Sequence, residues 1–182
     1  MLLKSEQKLK EGDKAPDFEL LNVHNDYVSL KELEGKAFLI IFMCNHCPYV
    51  KPKIKVIKDL YEKYSNQGLV IIGINSNESE NYPEDSFENM QAIAKRENFK
   101  FFYLHDKTQE VAKSYGAICT PDPFLFDGNK KLVYHGRLDN ALSPEKEATT
   151  HDIDEAISAV LNGRKPKHSF LYSMGCSIKW NE

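Results

Sequence analysis

The chain has 182 residues, and its 24 Lys and Arg nearly balance 27 Asp and Glu, which leaves a formal net charge of −3. This balance lacks the basic excess of a general nucleic-acid-binding protein. The 10 Phe and 9 Tyr argue against disorder and suffice for a sizeable core. We expect one domain over residues 1–182, with residues 163–182 as a C-terminal tail.

The N-terminal segment and the hydropathy pattern carry an expectation about location. The first residues lack the apolar core of a secretory signal, and the longest apolar run, residues 37–44, is far shorter than the ~20 residues of a membrane span. We therefore expect a cytoplasmic protein with neither a membrane nor a nucleic-acid partner. In a reducing cytoplasm, its four cysteines predict catalytic or metal-binding chemistry rather than a disulfide scaffold.

The first half of the chain predicts a buried strand followed by a helix. Short strand-like pieces precede residues 37–43, whose continuous apolar character indicates a strand buried on both faces. The motif Cys44-Asn45-His46-Cys47-Pro48 follows at once. Apolar residues then recur at helical spacing to about Tyr64, which predicts an amphipathic helix beginning directly after the motif, with Pro52 in or near its first turn.

The second half predicts further strands and helices in alternation. A buried strand at residues 69–74 leads into a polar loop, at whose end Asp85 or Ser86 can cap the next helix. Two apolar runs around an Asp-Gly turn at residues 127–130 predict a hairpin, and residues 153–161 a last helix. The order predicts an α/β fold, a central mixed β-sheet flanked by α-helices.

The two cysteines of the motif point to thiol chemistry. Their spacing places both sulfurs in one turn, close enough to join as a disulfide. A helix N-terminus carries unpaired N–H groups and partial positive charge, which favour the nucleophilic thiolate. We expect Cys44, at the helix mouth, to attack a disulfide, and Cys47 to resolve the mixed disulfide that results.

Several segments around this motif carry a family resemblance. They are GDKAPDF, CNHCPYV, NSNESENYPEDSF, CTPDPFLFD and the terminal GCSIKW. Together they resemble the thioredoxin-like redoxins, in the alkyl hydroperoxide reductase/thiol-specific antioxidant branch, and more narrowly a small peroxiredoxin-like subgroup. The resemblance spans roughly residues 12–180. It implies a thioredoxin-like fold with an N-terminal β extension and a C-terminal tail, thiol–disulfide oxidoreductase activity, and an antioxidant role in cell redox homeostasis.

The resemblance also assigns supporting residues around the cysteines. It implies a cis peptide bond between Thr120 and Pro121, facing the thiols and presenting the preceding backbone edge to a substrate. Asn45, His46 and Pro48 complete the support. His46 is placed as in the disulfide-introducing relatives with Cys-Pro-His-Cys, where an imidazole beside Cys44 stabilises the thiolate. This predicts a reduction potential more oxidising than thioredoxin's ~−270 mV, unless His46 is only a solvated loop residue.

A thiol peroxidase is the alternative function within the same branch. Its peroxidatic motif reads Pro-x-x-x-Thr-x-x-Cys. Aligned on Cys47, this chain has Cys44 at the Thr position and Ile40 at the Pro position. The usual Arg is absent before the late strand, and Arg137 is better interpreted as a surface ion-pair residue. These departures favour thiol–disulfide exchange over peroxide reduction.

Cys119 and Cys176 are possible auxiliary thiols. Docking of the tail through Met174, Ile178 and Trp180 would allow Cys176 to form a second disulfide with Cys119, or to relay oxidation from Cys44–Cys47. Alternatively, Cys119 is a small buried apolar residue and Cys176 a tail thiol without redox function. Four converging thiols would suit zinc or an iron–sulfur cluster in a metal-binding or sensor module. Because neither cysteine belongs to a second Cys-x-x-Cys, we expect no metal.

The chemistry predicts the partners of the site. Electrons pass through the thiols, so no organic cofactor is expected. The partners are protein or small-molecule thiols and disulfides, together with an electron donor such as thioredoxin or glutathione. A protein that only binds, without redox turnover, would keep the fold and tolerate loss of Cys44.

Overall fold

The computed structural model describes residues 1–181, and its centre is the apolar run singled out above. That run forms β4 (Ala37–Phe42), with all six residues buried, as predicted for a strand covered on both faces. It pairs in parallel with β5 (Leu69–Asn75) and antiparallel with β8 (Asp122–Asp127). The central sheet is therefore mixed, as expected.

Five shorter strands extend this sheet on both sides. They are β2 (Glu19–Asn22), β3 (Tyr27–Ser29), β6 (Phe102–His105), β9 (Leu132–Gly136) and β10 (Phe170–Leu171). The order across the eight strands is β10-β9-β8-β4-β5-β6-β2-β3. The predicted hairpin is present, since β8 and β9 pair antiparallel.

Helices cover both faces of the sheet. They are α1 (Lys53–Tyr64), α2 (Phe87–Arg96), α3 (Glu110–Tyr115) and α4 (Asp152–Leu161). Alternate side chains of β4 enter two separate clusters: Leu39 and Ile41 pack with residues of α1, α2 and α4, whereas Ile40 and Phe42 pack with residues of α3. Among residues 1–181, no helix combines the length and the apolar character needed to cross a membrane.

The start of α1 differs from the prediction. The helix begins at Lys53 rather than directly after Cys47. Pro52 immediately precedes it, because a residue without an N–H group is tolerated at a helix start but not inside the helix. Between motif and helix the chain forms turns, in which the N–H groups of Val50 and Lys51 donate to the Cys47 carbonyl oxygen at 3.0 and 3.1 Å.

A second, three-stranded sheet lies at the chain ends. It has the order β1-β11-β7 and consists of β1 (Leu2–Lys4), β11 (Met174–Ser177) and β7 (Cys119–Thr120). Both pairings are antiparallel. Gly175 makes the close approach possible, because a Cβ there would lie 1.7 Å from the Thr120 carbonyl oxygen. The C-terminal tail is thus part of a sheet that begins beside Pro121.

Candidate active site

Thr120 holds the two cysteines of the motif together. The chain leaves β4 at Phe42 and reaches Cys44, whose sulfur lies 3.3 Å from the Thr120 hydroxyl oxygen. The Cys47 sulfur lies 3.4 Å from the Thr120 carbonyl oxygen. The peptide bond from Thr120 to Pro121 is cis, as the resemblance implied. Four of the predicted site residues therefore meet at one point.

The two thiols shift each other's pKa in opposite directions. The neighbouring Cys44 thiol, followed by the thiol and the backbone N–H of Cys176, lowers the pKa of Cys47 to about 5. The pKa of Cys44 is raised by the Cys47 thiol, by burial and by the charge of Asp85. These shifts favour a thiolate on Cys47 in the reduced pair, whereas the nucleophile expected from the sequence is Cys44.

Cys44 and Cys47 also differ in what surrounds them. Both are buried, with exposed fractions of 2% and 0%. Cys44 lies on the side of His46, which is partly exposed. The Cys47 sulfur faces the carbonyl oxygen of Thr120, the residue that pairs with Cys176. Of the two cysteines, Cys44 is therefore the one beside a partly exposed side chain.

Asp85 is the site residue that the sequence did not identify. Its carboxylate accepts from the backbone N–H of Asn45 at 2.6 Å and from the Asn77 side chain at 2.8 Å. His46 Nδ1 lies 2.5 Å from Oδ2 of the same carboxylate. Because a carboxylate only accepts, Nδ1 carries the proton and donates it. Asp85 thus fixes both residues between the cysteines.

The local helix capping explains why Asp85 is free for this role. Of the two candidate caps, Ser86 is the one used: its hydroxyl oxygen accepts from the backbone N–H of Asn89 at 3.3 Å, at the start of α2. Asp85 closes the short 3-10 turn Pro83–Asp85 and is fully buried. Its side chain points back to the motif, a contact between residues 40 positions apart.

Asn45 and His46 are both held in place. The Asn45 side chain accepts from the Tyr103 hydroxyl at 2.7 Å and donates to the Glu84 carbonyl oxygen at 2.8 Å. The His46 ring stacks on Tyr82, with centroids 5.6 Å apart. The imidazole is thus a fixed neighbour of Cys44, not a freely solvated loop residue. Pro48, by contrast, is exposed and contributes to the turn after Cys47.

The remaining cysteines are placed very differently. Cys176 pairs with Thr120 across the small sheet, and its side chain is packed against the cluster that contains Cys44 and Cys47. Cys119, the residue before Thr120, is fully buried. Burial and the nearby Asp122 raise the Cys119 pKa far above its ordinary value, so that thiol stays protonated. The structure packs Cys176 against the cluster that contains Cys44 and Cys47, whereas Cys119 projects to the opposite face of the small sheet.

Two further observations bear on metal and peroxide chemistry. Within residues 1–181, Cys44, His46 and Asp85 offer potential ligand atoms within 4.8 Å of one another. An ion there would have to displace the hydrogen bonds that Asp85 already accepts. Arg137 forms an ion pair with Asp152, its Nε donating at 2.8 Å, as the sequence suggested.

Comparisons with known proteins agree with this geometry. Over 128 residues the chain is 27% identical to the thiol-disulfide oxidoreductase ResA of Bacillus thuringiensis, covering 70% of each chain. A crystal structure of an uncharacterized conserved protein from Geobacillus kaustophilus is 40% identical, with a TM-score of 0.94 and coverage of 100% of this chain and 97% of that one.

A more distant structure shares the fold. The thioredoxin domain of a thiol-disulfide oxidoreductase from Bacteroides vulgatus is 21% identical, with a TM-score of 0.61, and the match covers 70% of this chain and 89% of that one. The fold is therefore thioredoxin-like, as the motifs implied. Residues 11–135 match the AhpC/TSA family, and the chain belongs to that family.

Proposed function

We propose that this chain catalyses thiol–disulfide exchange through Cys44 and Cys47. The observation that carries the proposal is the double contact of Thr120, whose hydroxyl lies against one sulfur and whose carbonyl lies against the other. The similarity to ResA, which is named a thiol-disulfide oxidoreductase, supports the same reaction class.

Thr120 supports both positions of the shared proton. With the proton on Cys44, the charge is on Cys47. With the proton on Cys47, that thiol donates to the Thr120 carbonyl oxygen, 3.4 Å away. The Cys44 thiolate then accepts a hydrogen bond from the Thr120 hydroxyl, whose oxygen lies 3.3 Å away. The nucleophile can thus be formed at Cys44 without losing a proton to solvent.

The exchange then proceeds in two balanced steps. The Cys44 thiolate attacks one sulfur of a substrate disulfide, forms a mixed disulfide and expels the other substrate sulfur as a thiolate. Cys47 next attacks the Cys44 sulfur, forms the Cys44–Cys47 disulfide and releases the second substrate thiol. The substrate is reduced and the chain is oxidised. An external thiol donor reverses these steps on the chain and completes the cycle.

Single substitutions in the pair test this function. With insulin as a model disulfide and dithiothreitol as reductant, we expect Cys44→Ser to abolish turnover. Cys47→Ser should instead accumulate a mixed disulfide at Cys44, visible by mass spectrometry. Cys119→Ser is the control, because that thiol projects to the opposite face of the small sheet from Cys176, and it should keep wild-type turnover. Full activity of Cys44→Ser would refute the proposal.

A peroxide challenge separates this function from a thiol peroxidase. Ile40, at the position of the peroxidatic proline, lies inside β4 and packs in the core with residues of α3, so it cannot line a pocket beside Cys47. We therefore expect stopped-flow oxidation by hydrogen peroxide at a rate near that of a free thiol. A rate orders of magnitude higher would establish the peroxidase instead.

A further inference from the structure

The strand β11 occupies the backbone edge of Thr120, next to the two cysteines. Cys176 stands opposite Thr120 in the antiparallel register. Gly175 lets the two backbones meet, because any side chain there would collide with the Thr120 carbonyl group. Ser173 secures the near end of the strand, its hydroxyl donating to the Pro121 carbonyl oxygen at 2.5 Å. The chain thus places its own cysteine-bearing strand on the edge of the candidate site.

The far end of β11 is held by the residues that surround Asp85. The backbone N–H of Lys179 donates to the Asn77 side-chain oxygen at 2.9 Å. The same Asn77 donates to the Asp85 carboxylate at 2.8 Å. Ile178 is buried in the core beside α3. The strand is therefore fixed on both sides of Cys176, and that thiol has a defined position.

Cys47 lies between two other thiols. Its sulfur lies 3.4 Å from the carbonyl oxygen of Thr120, the residue opposite Cys176, and Cys176 packs against the cluster that contains both Cys44 and Cys47. Cys119 is opposite Ser177. Since successive side chains of a strand point to opposite faces, Cys119 and Cys176 project to opposite faces of the small sheet. The arrangement favours a bond from Cys176 to Cys47 over a bond to Cys119.

We propose that Cys176 is a third redox-active cysteine, which exchanges with the Cys44–Cys47 disulfide to give a Cys47–Cys176 disulfide. This inference rests on the proposed function. The Cys176 thiolate attacks the Cys47 sulfur, a Cys47–Cys176 bond forms, and the Cys44–Cys47 bond breaks. Cys44 leaves as a thiolate and takes up the proton that Cys176 gave up. The number of disulfides is unchanged, so the step needs no further oxidant or reductant.

The exchange gives the oxidised chain two forms with different exposed chemistry. In one, Cys44 is blocked in the disulfide. In the other, Cys44 is again a free thiol, and the disulfide joins Cys47 to Cys176 of β11. Because Cys176 is only partly buried, a reducing thiol can reach the second form at the Cys176 sulfur. Cys176 would then be a separate point of entry for the electron donor.

Disulfide mapping of the full-length chain tests the proposal. Reduced protein is oxidised with diamide and quenched in acid, free thiols are alkylated, and the bridges are identified by mass spectrometry. We expect both bridges in the wild type and in the control Cys119→Ser. Cys44→Ser should contain Cys47–Cys176 alone, and Cys176→Ser should contain Cys44–Cys47 alone. Absence of Cys47–Cys176 from the wild type or from Cys44→Ser, or a Cys119–Cys176 bridge in its place, would overturn the proposal.

The same variants separate this inference from the function on which it rests. If Cys176→Ser forms the Cys44–Cys47 bridge while Cys44→Ser forms no bridge, only the role of Cys176 fails. If Cys176→Ser forms no bridge, the dithiol function fails as well. Gly175→Ala provides a test that keeps all four cysteines. By displacing β11 it should lower the Cys47–Cys176 share at least several-fold and leave Cys44–Cys47 intact. An unchanged share would count against the proposal.

Discussion

Thr120 contacts the sulfur atoms of both cysteines. Its hydroxyl lies against the Cys44 sulfur and its carbonyl oxygen against the Cys47 sulfur. A single proton can therefore move between the two cysteines, because Thr120 provides a hydrogen-bond partner in either state. The lowered pKa of Cys47 and the raised pKa of Cys44 favour the negative charge on Cys47 in the reduced pair. At the scale of single residues, reactivity therefore depends on where one proton lies.

This charge distribution predicts a pH titration. The Cys47 pKa is lowered to about 5 from its ordinary value of 9.0, so one thiolate per reduced chain should form as pH rises through about 5. Ultraviolet absorbance of the thiolate measures it. Cys47→Ser should lose this transition, and Cys44→Ala should shift its midpoint upward because a donor is removed. A wild type with no thiolate below pH 8 would contradict the assignment, and Cys119→Ser is the control.

Asp85→Asn should make the dithiol more oxidising. The charge of Asp85 opposes a thiolate on Cys44, so its removal should stabilise the thiolate form of the reduced pair, with a rise on the order of 30 mV for each pKa unit by which that thiolate is stabilised. The substitution should also cost about 1–3 kcal/mol of stability, since an amide cannot accept all the donors that surround Asp85. Redox titration against glutathione and chemical denaturation measure the two effects.

A matched exposed carboxylate provides the control for Asp85. Asp59 forms a surface ion pair with Lys55, and Asp59→Asn should leave the potential unchanged. Equal potentials for Asp85→Asn and the wild type would show that Asp85 does not tune the thiols. The expected baseline, a wild-type potential above thioredoxin's ~−270 mV, rests on the fixed imidazole of His46 and is measured in the same titration.

The sequence located the cysteines, Thr120 and Pro121, because a short motif and its context carry them. It could not locate Asp85. A carboxylate before a helix is typical of a cap, and only the folded path of the loop after β5 brings it to Asn45. The role of Cys176 could not be decided from the sequence for the same reason, since its position depends on a strand pairing between residues more than 50 positions apart.

At the scale of elements, the same contrast separates the strands. β4 and β5 were predictable because continuous apolar runs mark buried strands. β7 and β10 have two residues each, and β11 has four, too few to show a period. Their formation depends on partners distant in the sequence. The late start of α1 follows from Pro52, a local cause that the sequence did display.

Gly175→Ala should release β11 without unfolding the main sheet. The added Cβ would lie 1.7 Å from the Thr120 carbonyl oxygen, so the strands must separate. We expect hydrogen exchange in β1 and β11 to accelerate about tenfold or more, equivalent to about 1.4 kcal/mol, with β4 unchanged. Ser177→Ala, on the same strand, is the control. Unaltered exchange in β11 would mean that the close approach is not required.

At the scale of the whole molecule, the chain ends are tied to the core. The two clusters on either face of the main sheet contain most of the buried apolar side chains. The C-terminal tail enters the second of them through Ile178, whose N–H also donates to the Ile118 carbonyl oxygen at 2.9 Å. Trp180, in contrast, is 38% exposed. The tail is thus buried in the core at Ile178 and exposed at Trp180.

This arrangement predicts that the tail unfolds together with the body. Ile178 is 3% exposed, so Ile178→Ala should cost about 2–5 kcal/mol of unfolding free energy, as for other large-to-small core substitutions. Tyr27→Ala, at a side chain 68% exposed, is the control and should cost far less. Chemical denaturation followed by both fluorescence and circular dichroism should give one coincident transition for the wild type and for Ile178→Ala, shifted only in midpoint. An unshifted midpoint, or a separate early transition of the tail, would show that residues 163–181 fold independently of the sheet that carries Cys44 and Cys47.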